Sequence, residues 1–326
     1  MMCTAITLQS KQKENFFGRT MDFSYPIDPG LYVIPKHFEW QSQATMKKYK
    51  NDYSFLAIGQ EADGILGFFD GVNEQGFAAA VLYLEGYADY DLPLENREPI
   101  AALDFLHFML GRCRSIEDVK ALSETIRITG VPDSVTKRAA PLHWIATDRS
   151  GQSVVIEQTK HGLHVIDNPI GVMANSPDFN WHVTNLRNYM ELATTQKSEV
   201  YWNDVQLTPF GQGTGTSHMP GGYTSPARFV RTSFLKTHTW LPNSRAETLM
   251  TCFHILNSVY IPKGIVQTDR GTDDYTKYVA FMNTATCEYY FKTYENDQIM
   301  KAGLADYDTS GTKAIFLGRI VRPPEI

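Results

Sequence analysis

Alternation of apolar and polar positions is the first signal along the chain. Thr4-Ala5-Ile6-Thr7-Leu8 is short, β-branched and apolar at every second position, and it breaks into a polar stretch over residues 9–15. This pattern predicts a strand and a turn. Residues 16–23, rich in Phe, predict a returning strand, so that a hairpin carries Arg19 and Asp22 back towards Cys3. Leu31-Tyr32-Val33-Ile34 predicts a further strand, closed by Pro35, which has no N–H to give to a ladder. The period then changes. Leu103, Leu106 and Leu110 recur at helical spacing, with Pro99 suited to the first helical position and Gly111 to the stop. Ser115 and Asp118 form a weaker capping box ahead of Val119, Leu122 and Ile126, which predicts a second helix. Leu142–Thr147, the polar turn Asp148-Arg149-Ser150-Gly151 and Val154-Val155-Ile156 predict a hairpin, extended by Leu163-His164-Val165-Ile166. A third helix is predicted over 246–259, where Leu249, Phe253 and Leu256 share a face, and two strands follow over 275–282 and 288–294. Strands in runs and helices in separate runs favour antiparallel layers over alternating βαβ units.

Composition narrows the class. A length of 326 residues suggests about two domains, yet no shift in composition marks a boundary, so residues 3–326 are expected to form a single domain. With 43% hydrophobic and 20% charged residues, the chain can bury a large core. Its net charge of −6 carries no basic stripe, which argues against a nucleic-acid partner. No apolar run is long enough to cross a bilayer, and Lys11, Lys13, Glu14 and Arg19 leave no signal-peptide core at the start. The expectation is a cytoplasmic protein with no membrane partner. Cys3, Cys113, Cys252 and Cys287 lie far apart without C-x-x-C pairing, so neither a metal site nor a structural disulfide is expected.

The candidate chemistry centres on Cys3. Were Met1 and Met2 removed, it would carry both a thiol and a free α-amine, and the amine could act as general base for its own side chain. The alternative from the residues alone is a buried strand cysteine. Arg19 on the returning strand would favour the thiolate, and Asp22 could accept a hydrogen bond from the α-amine. Other candidates are weaker. His161 and His164 lack the H-E-x-x-H pattern, and Gly211-Gln212-Gly213-Thr214-Gly215 has no following Lys-Ser or Lys-Thr, so it reads as a surface loop. Ser217 misses the G-x-S-x-G spacing.

Five segments in order carry a resemblance: Met2-Cys3-Thr4-Ala5-Ile6-Thr7, Phe17-Gly18-Arg19-Thr20-Met21-Asp22-Phe23, Asp70-Gly71-Val72-Asn73-Glu74-Gln75-Gly76, Ala174-Asn175-Ser176-Pro177 and Ser225-Pro226-Ala227-Arg228-Phe229. Together they resemble the choloylglycine hydrolase family of bile salt hydrolases and penicillin V acylases, which are N-terminal nucleophile hydrolases. The resemblance runs from Cys3 to about Tyr294. It implies an α+β fold, a four-layer αββα sandwich with two antiparallel sheets between helical layers. It also implies Cys3 as nucleophile, Arg19, Asp22 and Arg228 in the active site, Asn175 contributing to the oxyanion hole, and no cofactor or metal.

Tyr83 matches a position where the penicillin V acylase branch resembles Tyr and the bile salt hydrolase branch resembles Asn. The Thr20-Met21-Asp22-Phe23 run also resembles the acylases. The leading expectation is therefore hydrolysis of penicillin V to 6-aminopenicillanic acid through a thioester, with Tyr83 and Asn175 holding the oxyanion. Conjugated bile salts are the second expectation, followed by other N-acyl amides such as acyl-homoserine lactones. An acyl-ligand binding protein is the non-enzymatic one. The resemblance further implies a homo-oligomer, a homotetramer in many relatives, with residues 188–223 in the assembling region.

Overall fold

In the computed structural model, which describes residues 2–90, 96–133 and 137–321, two antiparallel sheets stack face to face between helices. Met1 lies outside the described residues. The predicted first hairpin forms as β1 (Met2–Gln9) and β2 (Asn15–Phe23), with Cys3 opposite Met21 and Ala5 opposite Arg19. These strands belong to a six-stranded sheet ordered Val172–Met173, β1, β2, Tyr275–Asn283, Glu288–Thr293, Met300–Gly303. The second sheet has eight strands, ordered Gly162–Asp167, Ser153–Thr159, Leu142–Thr147, Ala78–Tyr83, Ile65–Asn73, Phe55–Ala62, Gly30–Ile34, Ile315–Arg319.

The period of two along each strand sorts side chains into separate cores. Ile145 and Val155 face the six-stranded sheet, while Trp144, Val154 and Ile156 point to the opposite face. There they meet α1 (Phe105–Arg112) and α2 (Ile116–Ser123), through Phe105, Met109 and Val119 among others. A short helix, α3 (Phe179–Asn185), packs on α4 (Ser225–His238). α4 and α5 (Arg245–Asn257) cover the outer face of the six-stranded sheet, burying Phe229, Phe253 and Leu256. The layers are thus helix, sheet, sheet, helix. Strands covered on both faces read as near-continuous apolar runs, and β2 is buried at every position but its last.

Local chemistry places the helix starts. Ser115, Asp178, Thr224 and Ser244 each accept a backbone N–H three residues on, satisfying a donor that the first turn leaves unpaired. Three sequence expectations need correction. Pro99 does not open a helix: Glu98–Ala101 is a strand paired in parallel with Ile126–Thr129, so Ile126 is also a strand residue, and α1 starts only after Asp104. A proline at the head of a helix and a proline near the start of a short strand carry the same local signature. Gly111 lies inside the last turn of α1, with Cys113 as the cap. Neither α3 nor α4 was expected, nor were the strands Phe55–Ala62 and Ile65–Asn73.

The Asp70 to Gly76 segment shows how a motif serves the fold. Asn73 Oδ1 accepts the N–H groups of Gln75 and Phe77, while Nδ2 donates to the carbonyls of Leu110 and Cys113. One side chain therefore closes a hairpin turn and ties it to the end of α1. No helix among the described residues is long and apolar enough to cross a membrane.

Gly18 gives a direct test of the packing around β2. A Cβ there would stand 2.3 Å from the Ala280 carbonyl oxygen and 2.2 Å from the Phe281 ring, whereas at Gly221 nothing lies within 4 Å. Gly18→Ala is expected to destabilise the fold by about 1–3 kcal/mol, the range for an overpacked core, and Gly221→Ala to change it little. Urea unfolding midpoints of the two variants check this.

Candidate active site

The register of β1 and β2 brings the sequence-predicted residues to one end of the interface between the sheets. Cys3 is buried, and its Sγ accepts a hydrogen bond from Arg19 Nη2 at 2.8 Å. The backbone N–H of Asp22 also favours the thiolate form of this sulfur. The Arg19 guanidinium is fixed on its other edges: Nε donates to the Thr20 carbonyl at 2.9 Å, and Nη1 faces Asp70 Oδ2 at 3.3 Å. Asp22 does not contact the Cys3 nitrogen. Its carboxylate accepts the hydroxyls of Thr20 at 2.9 Å and Thr276 at 2.6 Å.

Asn175 follows the strand Val172–Met173 and links three elements. Its Oδ1 accepts the Cys3 backbone N–H at 2.7 Å and Arg228 Nη2 at 2.7 Å, and its Nδ2 donates to the Tyr83 carbonyl at 2.8 Å. Arg228 and a backbone amide can only donate, so this network fixes which end of the amide is oxygen. Arg228, near the start of α4, also donates to the Cys3 carbonyl and to Thr4 Oγ1. Cys3, Arg19, Asp22, Asn175 and Arg228 therefore form one connected group, joined by the Tyr83 backbone.

Burial dominates the electrostatics. The thiol of Cys3 is pushed up by desolvation; Arg19 pulls it down and Asp22 pushes it further up. Arg19 thus acts in the direction expected from the sequence, but removal from water outweighs it, and the resting sulfur is a thiol rather than a thiolate. Desolvation likewise raises the Asp22 carboxyl to about 6 against the pull of Arg228, and lowers Arg228 against the pull of Asp22. For Arg19, burial works against the charge, yet the net direction is upward and the guanidinium stays charged.

The sulfur faces a cavity of about 460 Å³. Its wall is largely apolar, including Met21, Phe23, Ile27, Phe68, Val81 and Leu142, and Tyr83 completes it with its ring 6.0 Å from that of Phe23. Such a volume and lining suit a drug-sized apolar group oriented by a few polar contacts. His161 and His164 lie elsewhere, in a turn and an outer strand, where the ring of His164 contacts the His161 carbonyl. Ser217 and the glycine-rich segment sit in an exposed region around a short 3₁₀ turn.

Several members of this group were missed from sequence. Asp70, Tyr278 and Tyr289 are fully buried behind Arg19, and His182 contacts the Asn175 carbonyl at 2.7 Å through Nε2. An acid directly after Leu66-Gly67-Phe68-Phe69 was the available signal for Asp70, since a carboxylate in an apolar strand needs a buried partner.

Comparison with known proteins agrees with the geometry. Residues 3–315 match the linear amide C–N hydrolases of the choloylglycine hydrolase family. The bile salt hydrolase/transferase of Clostridium perfringens is 36% identical over 299 residues, 91% of each chain. A crystal structure of a variant of the conjugated bile acid hydrolase from that species has a TM-score of 0.92 at 33% identity, covering 99% of both chains. The penicillin V acylase of Agrobacterium tumefaciens shares the fold, with a TM-score of 0.77 at 21% identity over 99% of this chain and 94% of that one. The chain belongs to the choloylglycine hydrolase family and is a linear amide C–N hydrolase.

Proposed function

We propose that this protein hydrolyses the amide bond of conjugated bile salts, releasing glycine or taurine, with Cys3 as nucleophile. The observation that carries the reading is the apolar cavity of about 460 Å³ with the Cys3 sulfur in its wall. A fused-ring acyl group would fill such a space, whereas a phenoxyacetyl group would leave much of it to water. The relatives favour the same order, which reverses the sequence expectation of penicillin V first. That expectation leaned on Tyr83. In the fold, Tyr83 is one wall among many apolar groups, and its contact with Asn175 is made by its carbonyl, which any residue supplies.

The chemistry follows from the site once Met1 and Met2 are removed. The α-amine of Cys3 takes the thiol proton, and the sulfur forms a bond to the amide carbonyl carbon. A base on the same residue suits a thiol held neutral by burial. Asn175 Nδ2 has a second N–H beyond the one given to Tyr83, available to the developing oxyanion; losing one such donor typically raises the barrier by about 2.7–4 kcal/mol. As the C–N bond breaks, the α-ammonium returns its proton to the leaving amine. Water then hydrolyses the thioester, yielding the bile acid and free Cys3. Arg19 steadies negative charge on sulfur, Arg228 and Asn175 hold the Cys3 backbone, and Asp22 supplies a counter-charge for the α-ammonium. No group in this sequence of steps is drawn from a cofactor or metal. We extend the reading to self-association of copies through residues 188–223, where Tyr201, Trp202, Val205 and Phe210 are exposed.

A side-by-side panel tests the substrate. Protein confirmed by mass to begin at Cys3 is expected to release glycine or taurine from bile conjugates faster than it releases 6-aminopenicillanic acid from penicillin V. The reverse ranking restores the acylase reading. Cys3→Ala is expected to abolish both activities while the chain still folds, and no turnover by the parent enzyme would leave a binding protein. Asp22 provides a second test. Its folded value of about 6 lies above the ordinary 3.8, so the fold binds the proton more tightly than the unfolded chain does. Stability from this group is complete below about pH 4 and is lost as pH rises through 6. On chain retaining Met2, Asp22→Asn is expected to gain on its parent by up to about 3 kcal/mol between pH 4 and pH 7; a pH-independent difference in denaturant melts would contradict it.

A further inference from the structure

Behind Arg19, on the side away from the thiol, lies a buried cluster to which the proposed chemistry assigns no part. Asp70 projects from the strand Ile65–Asn73 of the eight-stranded sheet, whereas Arg19, Tyr278 and Tyr289 all belong to the six-stranded sheet. Asp70 Oδ2 accepts Arg19 Nη1 at 3.3 Å and the Tyr278 hydroxyl at 2.6 Å, and Oδ1 accepts the Tyr289 hydroxyl. All four side chains are fully buried. The Arg19 guanidinium also lies 5.8 Å from the centre of the Tyr278 ring.

We propose that Asp70, clamped by Tyr278 and Tyr289, is a positioning residue that aims the guanidinium of Arg19 at the Cys3 sulfur across the interface between the sheets. The inference rests on the reading of Cys3 as the nucleophile. A guanidinium is planar, so fixing one edge fixes the direction of the other. Nη1 is held by Asp70, Nε by the Thr20 carbonyl, and Nη2 is thereby left with the sulfur at 2.8 Å. Asp70 is itself over-determined, because two tyrosine hydroxyls from adjacent strands fix its carboxylate plane. Neither Asp70 nor the tyrosines line the cavity, so the cluster acts on the sulfur and not on the acyl group. Burial raises the Asp70 carboxyl against the pull of Arg19 and the two tyrosine hydroxyls; the three donors that converge on its two oxygens leave it the part of an acceptor.

Charge alone and positioning predict opposite effects on the thiol. Removing the Asp70 charge with Asp70→Asn would, by Coulomb's law alone, make the thiolate easier to form. If Asp70 aims Arg19, the loosened guanidinium turns from the sulfur and the thiolate becomes harder to form. The experiment follows iodoacetamide alkylation of Cys3 against pH, read by mass on the N-terminal peptide, in the full chain and in Asp70→Asn. The expected result is alkylation at least about tenfold slower at pH 7, with the pH midpoint displaced upward, tenfold corresponding to one pKa unit. In amide hydrolysis, kcat should fall by a similar factor with KM nearly unchanged. An unmoved or lowered midpoint overturns the proposal. Tyr289→Phe keeps every charge and ring and removes one bond to Asp70; it should move the midpoint upward by a smaller amount. It decides the matter alone if Asp70→Asn does not fold, an unchanged midpoint overturning the proposal. Alkylation needs no substrate, so a wrong substrate assignment, or a Cys3→Ala chain that still turns over, would defeat the functional reading without disturbing this measurement.

Discussion

Two guanidinium groups, Arg19 and Arg228, are buried completely on either side of one cysteine, and the structure around them is arranged to make that burial tolerable. An unpaired charge taken from water is strongly unfavourable, so each of these must find partners inside the protein. Arg19 takes the Asp70 carboxylate, the Thr20 carbonyl and the Cys3 sulfur. Arg228 takes the carbonyl of Cys3, the hydroxyl of Thr4, the Tyr223 carbonyl and the Asn175 side chain. These partners come from both sheets, from the turn before α4 and from the segment after Val172–Met173. The site can therefore form only when the layers have come together, and Cys3 is placed by the same bonds that satisfy the two arginines.

This arrangement explains why the Cys3 thiol is not activated by simple proximity to a cation. Desolvation by the surrounding core exceeds the attraction of Arg19, and the sulfur keeps its proton. A base is then required within reach, and the backbone nitrogen of Cys3, three bonds from the sulfur, is within reach by construction. In the present structure that nitrogen is an amide held by Asn175 Oδ1 at 2.7 Å, with Met2 beside Asp22 in the ladder. Loss of Met2 would turn the same atom into an amine without moving Cys3 from its strand. A buried carboxyl at Asp22, reluctant to ionise on its own, then gains a cation as neighbour.

Much of this was legible in the sequence where local pattern and global fold agree. The β1–β2 hairpin was readable because alternation, a polar turn and returning aromatics all point the same way, and its register delivers Arg19 to Cys3 as expected. Asn175 and Arg228 were legible only through resemblance, since neither carries a local mark of contact with residue 3. The helix that holds Arg228 went unread although Thr224 caps it, Pro226 sits in its first turn, and Phe229, Val230 and Phe234 recur at helical spacing. Pro99 misled because a short parallel pair formed by residues distant in sequence overrode a local helix signal. Asp70 escaped assignment because its partners, Tyr278 and Tyr289, lie more than two hundred residues away. The order of substrates proposed changed for a related reason: the sequence expectation leaned on Tyr83 and the Thr20-Met21-Asp22-Phe23 run, whereas the cavity is the joint product of several strands and loops.

The central claim is that Cys3, freed of the residues before it, carries the acyl group during turnover. Acid quenching of enzyme during hydrolysis of a glycine-conjugated bile salt, followed by mass analysis of the N-terminal peptide, addresses it directly. The account predicts a peptide beginning at Cys3 and bearing the bile acyl group as a hydroxylamine-labile thioester. Turnover by protein whose Met2–Cys3 bond is intact, or an acyl group attached at any other residue, would contradict it.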